Sequence, residues 1–150
     1  MSLSLVIDTA GLIALARLEL LESVGQRFGQ LLVPGAVFDA IQLAADGNII
    51  RIVDPPAEQR AQPSLGLGAG EVATIELTAS VGGVAVLDDR DARRVAHQRG
   101  LPLTGTVAIL VRLRQIGAIG SLAEALDQLE SIGFRTTDEL RAWAVEAAGE

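Results

Sequence analysis

A chain of 150 residues, 49% hydrophobic but only 3% aromatic, is long enough for one domain that buries about 70% of its unfolded surface without disulfide or structural metal. It has no cysteine, which excludes a disulfide scaffold, and Arg17 and Glu19 interrupt the first apolar run before it reaches the roughly 18 residues of a membrane span. The net charge of −7 argues against holding nucleic acid by overall positive charge, although six of the arginines (Arg90, Arg93, Arg94, Arg99, Arg112, Arg114) fall between positions 90 and 114 and could form a local basic stripe.

In chain order, LSLVID (3–8) reads as a strand closing on a carboxylate. GLIALARLELLESVGQRFG (11–29) has apolar residues at helical spacing before a glycine stop. LLVP (31–34) is a second strand, and Pro34 is placed to begin the helix of PGAVFDAIQLAA. NIIRIVDPP (48–56) makes a short strand ended by its prolines, and 57–68 is a polar, turn-rich surface loop. AGEVATIELTASVGG (69–83) is a helix with Glu71 in its first turn, and VAVLDD (84–89) is the clearest strand. RDARRVAHQRG is a short helix stopped by Gly100, LPLTG a strand, and TVAILVRLRQIG a helix that Thr106 could cap. SLAEALDQLESIG and TDELRAWAVEAA close the chain as helices. Alternating strands and helices predict an α/β fold, a three-layer α/β/α sandwich around a mainly parallel sheet of four or five strands. No segment reads as a linker, so residues 1–150 are expected to form one domain, with a core over about 4–135 and a last helix at 137–148. The first twenty residues lack the features of a secretory signal, so the expected location is cytoplasmic.

In an open parallel sheet, ligands bind beyond the carboxyl ends of the strands, where strand order reverses. Asp8 ends one strand, Asp88 and Asp89 end another, and Glu71 opens the helix before the latter. Clustered carboxylates are hard oxygen ligands, suited to Mg²⁺ or Mn²⁺, and such an ion can activate water and neutralise charge on a phosphodiester transition state. The arginines that follow would then hold the phosphates beside the bond to be cut. Against this stands the plainer expectation that an acid after a strand caps the next helix, and that the arginines form a solvated helix face.

The pieces VIDTAGLIAL, LLVPGAVFDAI, LGAGEVATIELT, VLDDRDARRVAHQRGLPLTGT and LVRLRQIGAI, in this order, resemble the PIN domain family of metal-dependent ribonucleases, which includes toxins of VapBC-type pairs. The GE before a helix and the DDR followed by GT are similar in particular to its branch of predicted nucleic-acid-binding proteins. The resemblance implies Asp8, Glu71 and Asp89 as catalytic metal ligands, with Asp88 as a neighbour. It also implies Mg²⁺ or Mn²⁺ as cofactor, RNA as substrate with Arg90, Arg93, Arg94 and Thr106 in contact with it, a small antitoxin protein as partner, a homodimer, and no membrane. Two positions depart from the pattern. The family's second acid, a glutamate, falls on Ala40, with Asp39 one residue early and nearly opposite on a helical wheel. The small hydroxyl residue two after the first acid is here Ala10. An alternative is therefore a PIN-like module with a degraded metal site that binds nucleic acid or a protein without cutting.

Other signals read more plainly. GLGAG (66–70) lacks the spacing and lysine of a nucleotide loop, and the absence of lysine excludes a receiver-type site. His97 is expected to be solvated or half-packed, and Trp143 to pack the last helix onto the body, with a partner anchor as the other option. The helix of TVAILVRL suits either core or dimer surface.

Overall fold

The computed structural model describes residues 3–35, 50–55 and 66–150. Within these residues five strands, β1 (Leu3–Ile7), β2 (Gly29–Val33), β3 (Ile50–Ile52), β4 (Val84–Val86) and β5 (Leu103–Thr104), pair in parallel in the order β3-β2-β1-β4-β5. The described helices are α1 (Thr9–Arg17), α2 (Leu21–Phe28), α3 (Ala69–Val81), α4 (Arg90–Gln98), α5 (Thr106–Gln115), α6 (Leu122–Ser131) and α7 (Asp138–Ala147). The predicted α/β/α sandwich is the observed fold.

Period-two alternation sorts the strands' side chains between two layers. Leu5, Ile7, Leu31, Val33 and Val86 point to a large core with Leu12 and Leu15 of α1, Val24 of α2, Leu110 and Leu113 of α5, and Leu126 and Leu129 of α6. Ala85 and Leu87 face the other way, onto Ile75 of α3 and Ala92 and Ala96 of α4, while Val6 and Leu32 meet Leu77. Both faces are covered, which is why these strands read as continuous apolar runs. The α5 helix belongs to the core, with Val107, Ile109, Leu110, Val111 and Leu113 buried.

Three expectations are corrected. The single helix expected over 11–29 is two, because Glu19 adopts a left-handed φ of 57° and the Leu20 amide closes back onto the Leu15 carbonyl at 2.9 Å. The first helix also begins two residues earlier, at Thr9, immediately after Asp8. Two strands are shorter than read, since β4 stops at Val86 and β5 holds two residues, whereas β2 begins earlier than read, at Gly29. Trp143 does not pack the last helix down; it is 50% exposed, and Ala144 and Val145 make that contact instead. His97 is exposed, as expected. Most of the helix expected over 34–45 and of the loop over 57–68 lies outside the described residues, and so do Asp39 and Ala40.

Gly29 is where chain geometry demands glycine. Its φ is 114°, and a Cβ there would stand 2.3 Å from the Leu3 carbonyl oxygen, so only glycine lets β2 start flush against β1. From β2 and β3 on one side of β1, the chain crosses to β4 and β5 on the other. The β1–β4 junction is therefore the point where strand order reverses.

Candidate functional site

Four acids gather at the carboxyl edge of that junction. Ile7 and Val86 are register partners, and the Asp8 amide donates to the Val86 carbonyl at 3.3 Å, so Asp8 leaves the sheet beside the residues that lead into Asp88 and Asp89. Glu71 reaches the same edge from α3, which runs antiparallel to the strands and so begins where they end. One of its oxygens accepts from the Gly68 amide at 3.2 Å.

The adjacent pair Asp88 and Asp89 divides. Extended backbone sends successive side chains to opposite sides, and Asp89, with φ −73° and ψ 134°, is extended. Asp88 turns toward α5, where it accepts from the Thr106 amide at 2.8 Å and the Thr106 hydroxyl at 2.6 Å, one on each oxygen. Asp89 caps α4, accepting from the Ala92 amide at 3.0 Å through Oδ2. The helix-cap expectation thus holds for Asp89 in full, and Asp88 caps α5 from outside, since that helix's own N-cap, Gly105, has no side chain.

The other two acids are left incomplete. Asp8 is 7% exposed, and its Oδ1, like Oε2 of Glu71, is buried with no hydrogen-bond partner among the described residues. Burial pushes the Asp8 carboxyl above its ordinary value; the Thr9 amide opposes this, and the charges of Asp88 and Asp89 add to it. Burial likewise raises Glu71 against the Gly68 amide, with the Asp89 and Asp8 charges adding to the rise. Asp88 is also raised by burial, with Thr106 and the Arg93 charge working the other way. Asp8, Glu71 and Asp89 thus lie within each other's field, with Asp8 buried, Glu71 half-buried and Asp89 exposed to water.

The arginines are mostly committed elsewhere. Arg93 Nη1 donates to the Leu87 carbonyl at 2.7 Å and the Thr104 carbonyl at 3.1 Å, joining the ends of β4 and β5. Arg94 pairs with Asp91 at 2.9 Å, Arg99 with Glu76 at 2.6 Å, and Arg114 with Glu150 at 3.1 Å. Arg112 donates to Gln115 at 3.4 Å. Arg90, exposed at the start of α4 beside Asp89, has no such partner among the described residues. The expected substrate role of Arg93 is therefore revised, since the fold uses its guanidinium. Thr106 is fully buried and tied to Asp88, so it is not placed to meet a substrate.

Two residues went unnoticed in the sequence. Glu76 is 5% exposed inside the α3 run ATIELTA, and Arg99, its partner at the end of α4, stands 23 positions away, a separation no local pattern announces. Asp54, just past β3, accepts from the Gly35 amide at 2.9 Å and so holds the chain leaving β2.

A family model described as DUF3368: PIN domain matches residues 4–150. The chain belongs to the PIN domain family. No curated protein matches it. The fit of the PIN-type divalent cation to this edge rests on two observations of opposite weight. Among the described residues no three acids stand together as a preformed ligand set. The orphaned oxygens of Asp8 and Glu71 are nevertheless what a hard cation would satisfy, because it relieves both the missing hydrogen bonds and the mutual repulsion. No helix of the described residues is long and apolar enough to cross a membrane.

Proposed function

We propose that this PIN domain is a metal-dependent endoribonuclease, the toxin of a toxin–antitoxin pair neutralised by a small antitoxin protein, with Asp8, Glu71 and Asp89 as the catalytic acids that hold Mg²⁺ or Mn²⁺. The observation that carries the reading is the pair of buried oxygens on Asp8 and Glu71 at the strand-order switch, which have no partner among the described residues. Hydrogen-bonding groups left bare in a folded interior cost about 1–3 kcal/mol each, and such a cost persists where function uses the group.

When bound, the cation would supply an activated water and a counter-charge for the phosphodiester. The protein's part follows from its own geometry. Asp8 offers Oδ1 from a rigid strand end, and Glu71 offers Oε2 while the Gly68 amide steadies its other oxygen. Asp89 keeps Oδ1 after giving Oδ2 to the α4 cap. Asp88 has both oxygens engaged by Thr106 and drops out of the ligand set. Arg90 holds a phosphate beside the cut, with Arg94 released from its exposed pair with Asp91 as a second contact. Asp39, the remaining candidate acid, lies outside the described residues.

The rival is the binding module without cleavage, favoured by Ala40 in place of the family's glutamate. Incubating the protein with labelled RNA, with and without Mn²⁺ and with Asp89→Asn as control, separates them. The nuclease cuts in Mn²⁺ and not in chelator, and the variant does not cut. RNA retained intact in Mn²⁺ by the wild type establishes the module instead.

A further inference from the structure

Asp88, Thr106 and Gly11 form one contact chain behind the acids, and the proposed metal site does not use it. Asp88 grips the first turn of α5 through both the amide and the hydroxyl of Thr106. That hydroxyl lies over Gly11: a Cβ on Gly11 would stand 3.1 Å from Thr106 Oγ1 and 3.3 Å from Val86 Cγ1. Gly11 is three residues past Asp8 in α1, and Asp88 is one residue before Asp89. A single hydroxyl thus stands close behind one of the segments that deliver the carboxylates, at Gly11, while bonded to the other, at Asp88. Gly105 closes the chain from behind, since a Cβ there would be 3.1 Å from both Asp88 Oδ1 and Arg93 Nη1.

We propose that Asp88 and Thr106 are positioning residues, which fix Asp8 and Asp89 relative to one another for a divalent cation, by holding the β4–α4 corner against α1 through the Thr106 hydroxyl. This rests on the metal-site reading above and deepens it, assigning Asp88 a place behind the ligands and giving Thr106 a purpose apart from RNA. The buried location of the threonine and the absence of a side chain at Gly11 and Gly105 fit that purpose, because each missing Cβ allows a close approach.

The test is Mn²⁺ affinity by titration calorimetry, with the metal-free melting temperature and the Mn²⁺ dependence of RNA cleavage read on the same samples. Thr106→Val removes the hydroxyl at nearly constant shape; Thr106→Ser restores it. Residues that orient metal ligands typically change affinity by about 10–100-fold when altered, so Thr106→Val should weaken Mn²⁺ by about 10-fold, with cleavage recovering at saturating Mn²⁺. Thr106→Ser should bind as the wild type does, within about 2-fold. Should Thr106→Val fail to fold, Asp88→Asn carries the same readout, with weakened affinity and cleavage that excess Mn²⁺ restores. Unchanged Mn²⁺ affinity in a folded Thr106→Val or Asp88→Asn, or a serine variant as weak as valine, overturns the proposal. So does an Asp88→Asn protein that excess Mn²⁺ cannot rescue, because Asp88 would then be a ligand itself. A wild type that binds no Mn²⁺ fails differently: it removes the metal-site reading and the positioning role together.

Discussion

The last helices and the sheet edge treat their carboxylates in opposite ways. Near the last helix, Glu150 accepts from the Leu122 amide at 2.6 Å, the Ala123 amide at 3.4 Å and the Ser121 hydroxyl at 3.3 Å, and it pairs with Arg114. Arg141 of α7 bridges to Asp127 and Glu130 of α6. At the sheet edge, Asp8 and Glu71 each keep an oxygen with no partner among the described residues. The physical consequence is a difference in sign: burial raises the Asp8 and Glu71 carboxyls, whereas the Leu122 amide leads a set of donors that lowers Glu150. Carboxylates that hold the fold are satisfied, and the two left wanting are the ones the proposed metal site uses.

The largest expected effect comes from breaking the edge. Asp8→Asn removes a buried charge from a repelling cluster, so it should cut Mn²⁺-dependent RNA cleavage on the order of 100-fold or more while raising the metal-free melting temperature. Removing such strain is worth roughly 1 kcal/mol, or about 2–4 °C for a domain of this size. Mn²⁺ should stabilise the wild type but not the variant. Calorimetric melts with and without metal check this, and a variant less stable than the wild type in chelator would show that the Asp8 charge is satisfied after all.

Next in size is Arg93→Gln. Its guanidinium joins the Leu87 and Thr104 carbonyls, and charge-assisted hydrogen bonds of this kind contribute about 1.5–3 kcal/mol. Chemical denaturation should show a loss of roughly that size. Arg90→Gln, by contrast, should leave stability alone and lower the salt dependence of RNA binding by about one counterion. If both variants lose RNA affinity equally at full stability, the division between a structural and a substrate arginine fails.

How much of this was legible depended on whether the cause was local. Alternating strands and helices, the strand ends at Asp8 and Asp88–Asp89, and Glu71 in a first helical turn are patterns of period and adjacency, and the fold and the gathering of acids follow from them. The break at Glu19 was hidden because a glutamate in left-handed conformation has no sequence signature, and the apolar spacing runs across it. Asp88 and Asp89 are chemically identical neighbours; only Thr106, 18 positions on, tells them apart. The pairing of Glu76 with Arg99 and the capping of α6 by Glu150 are equally non-local. The place of Asp39 lies outside the described residues.

The smallest effect expected comes from Glu150, and its value is the sign of a pH slope. A carboxyl lowered by folding contributes stability that is complete above its unfolded value, near 4.5, and is lost as the pH falls through the lower folded value. Asp8 and Glu71 run the other way. Their unfolded values are near 3.8 and 4.5, and their folded values are higher, so between the two the folded chain binds more protons and stability falls as the pH rises. Metal-free protein should therefore grow more stable on acidification from neutrality toward the ordinary carboxylate range, then less stable below it. Glu150→Gln should lower the melting temperature at neutral pH by no more than a few degrees, because the group is exposed and screened, and should flatten only the limb below about 4.5. Asp8→Asn should reduce only the limb above, leaving the share that Glu71 and Asp88 contribute. Melting curves taken across pH 3 to 8 in chelator, at low and high salt, distinguish the two, since salt should erode the Glu150 limb more than the buried one. A single variant that flattened both limbs would mean the two regions are coupled, and the contrast between a satisfied end and an unsatisfied edge would have to be abandoned.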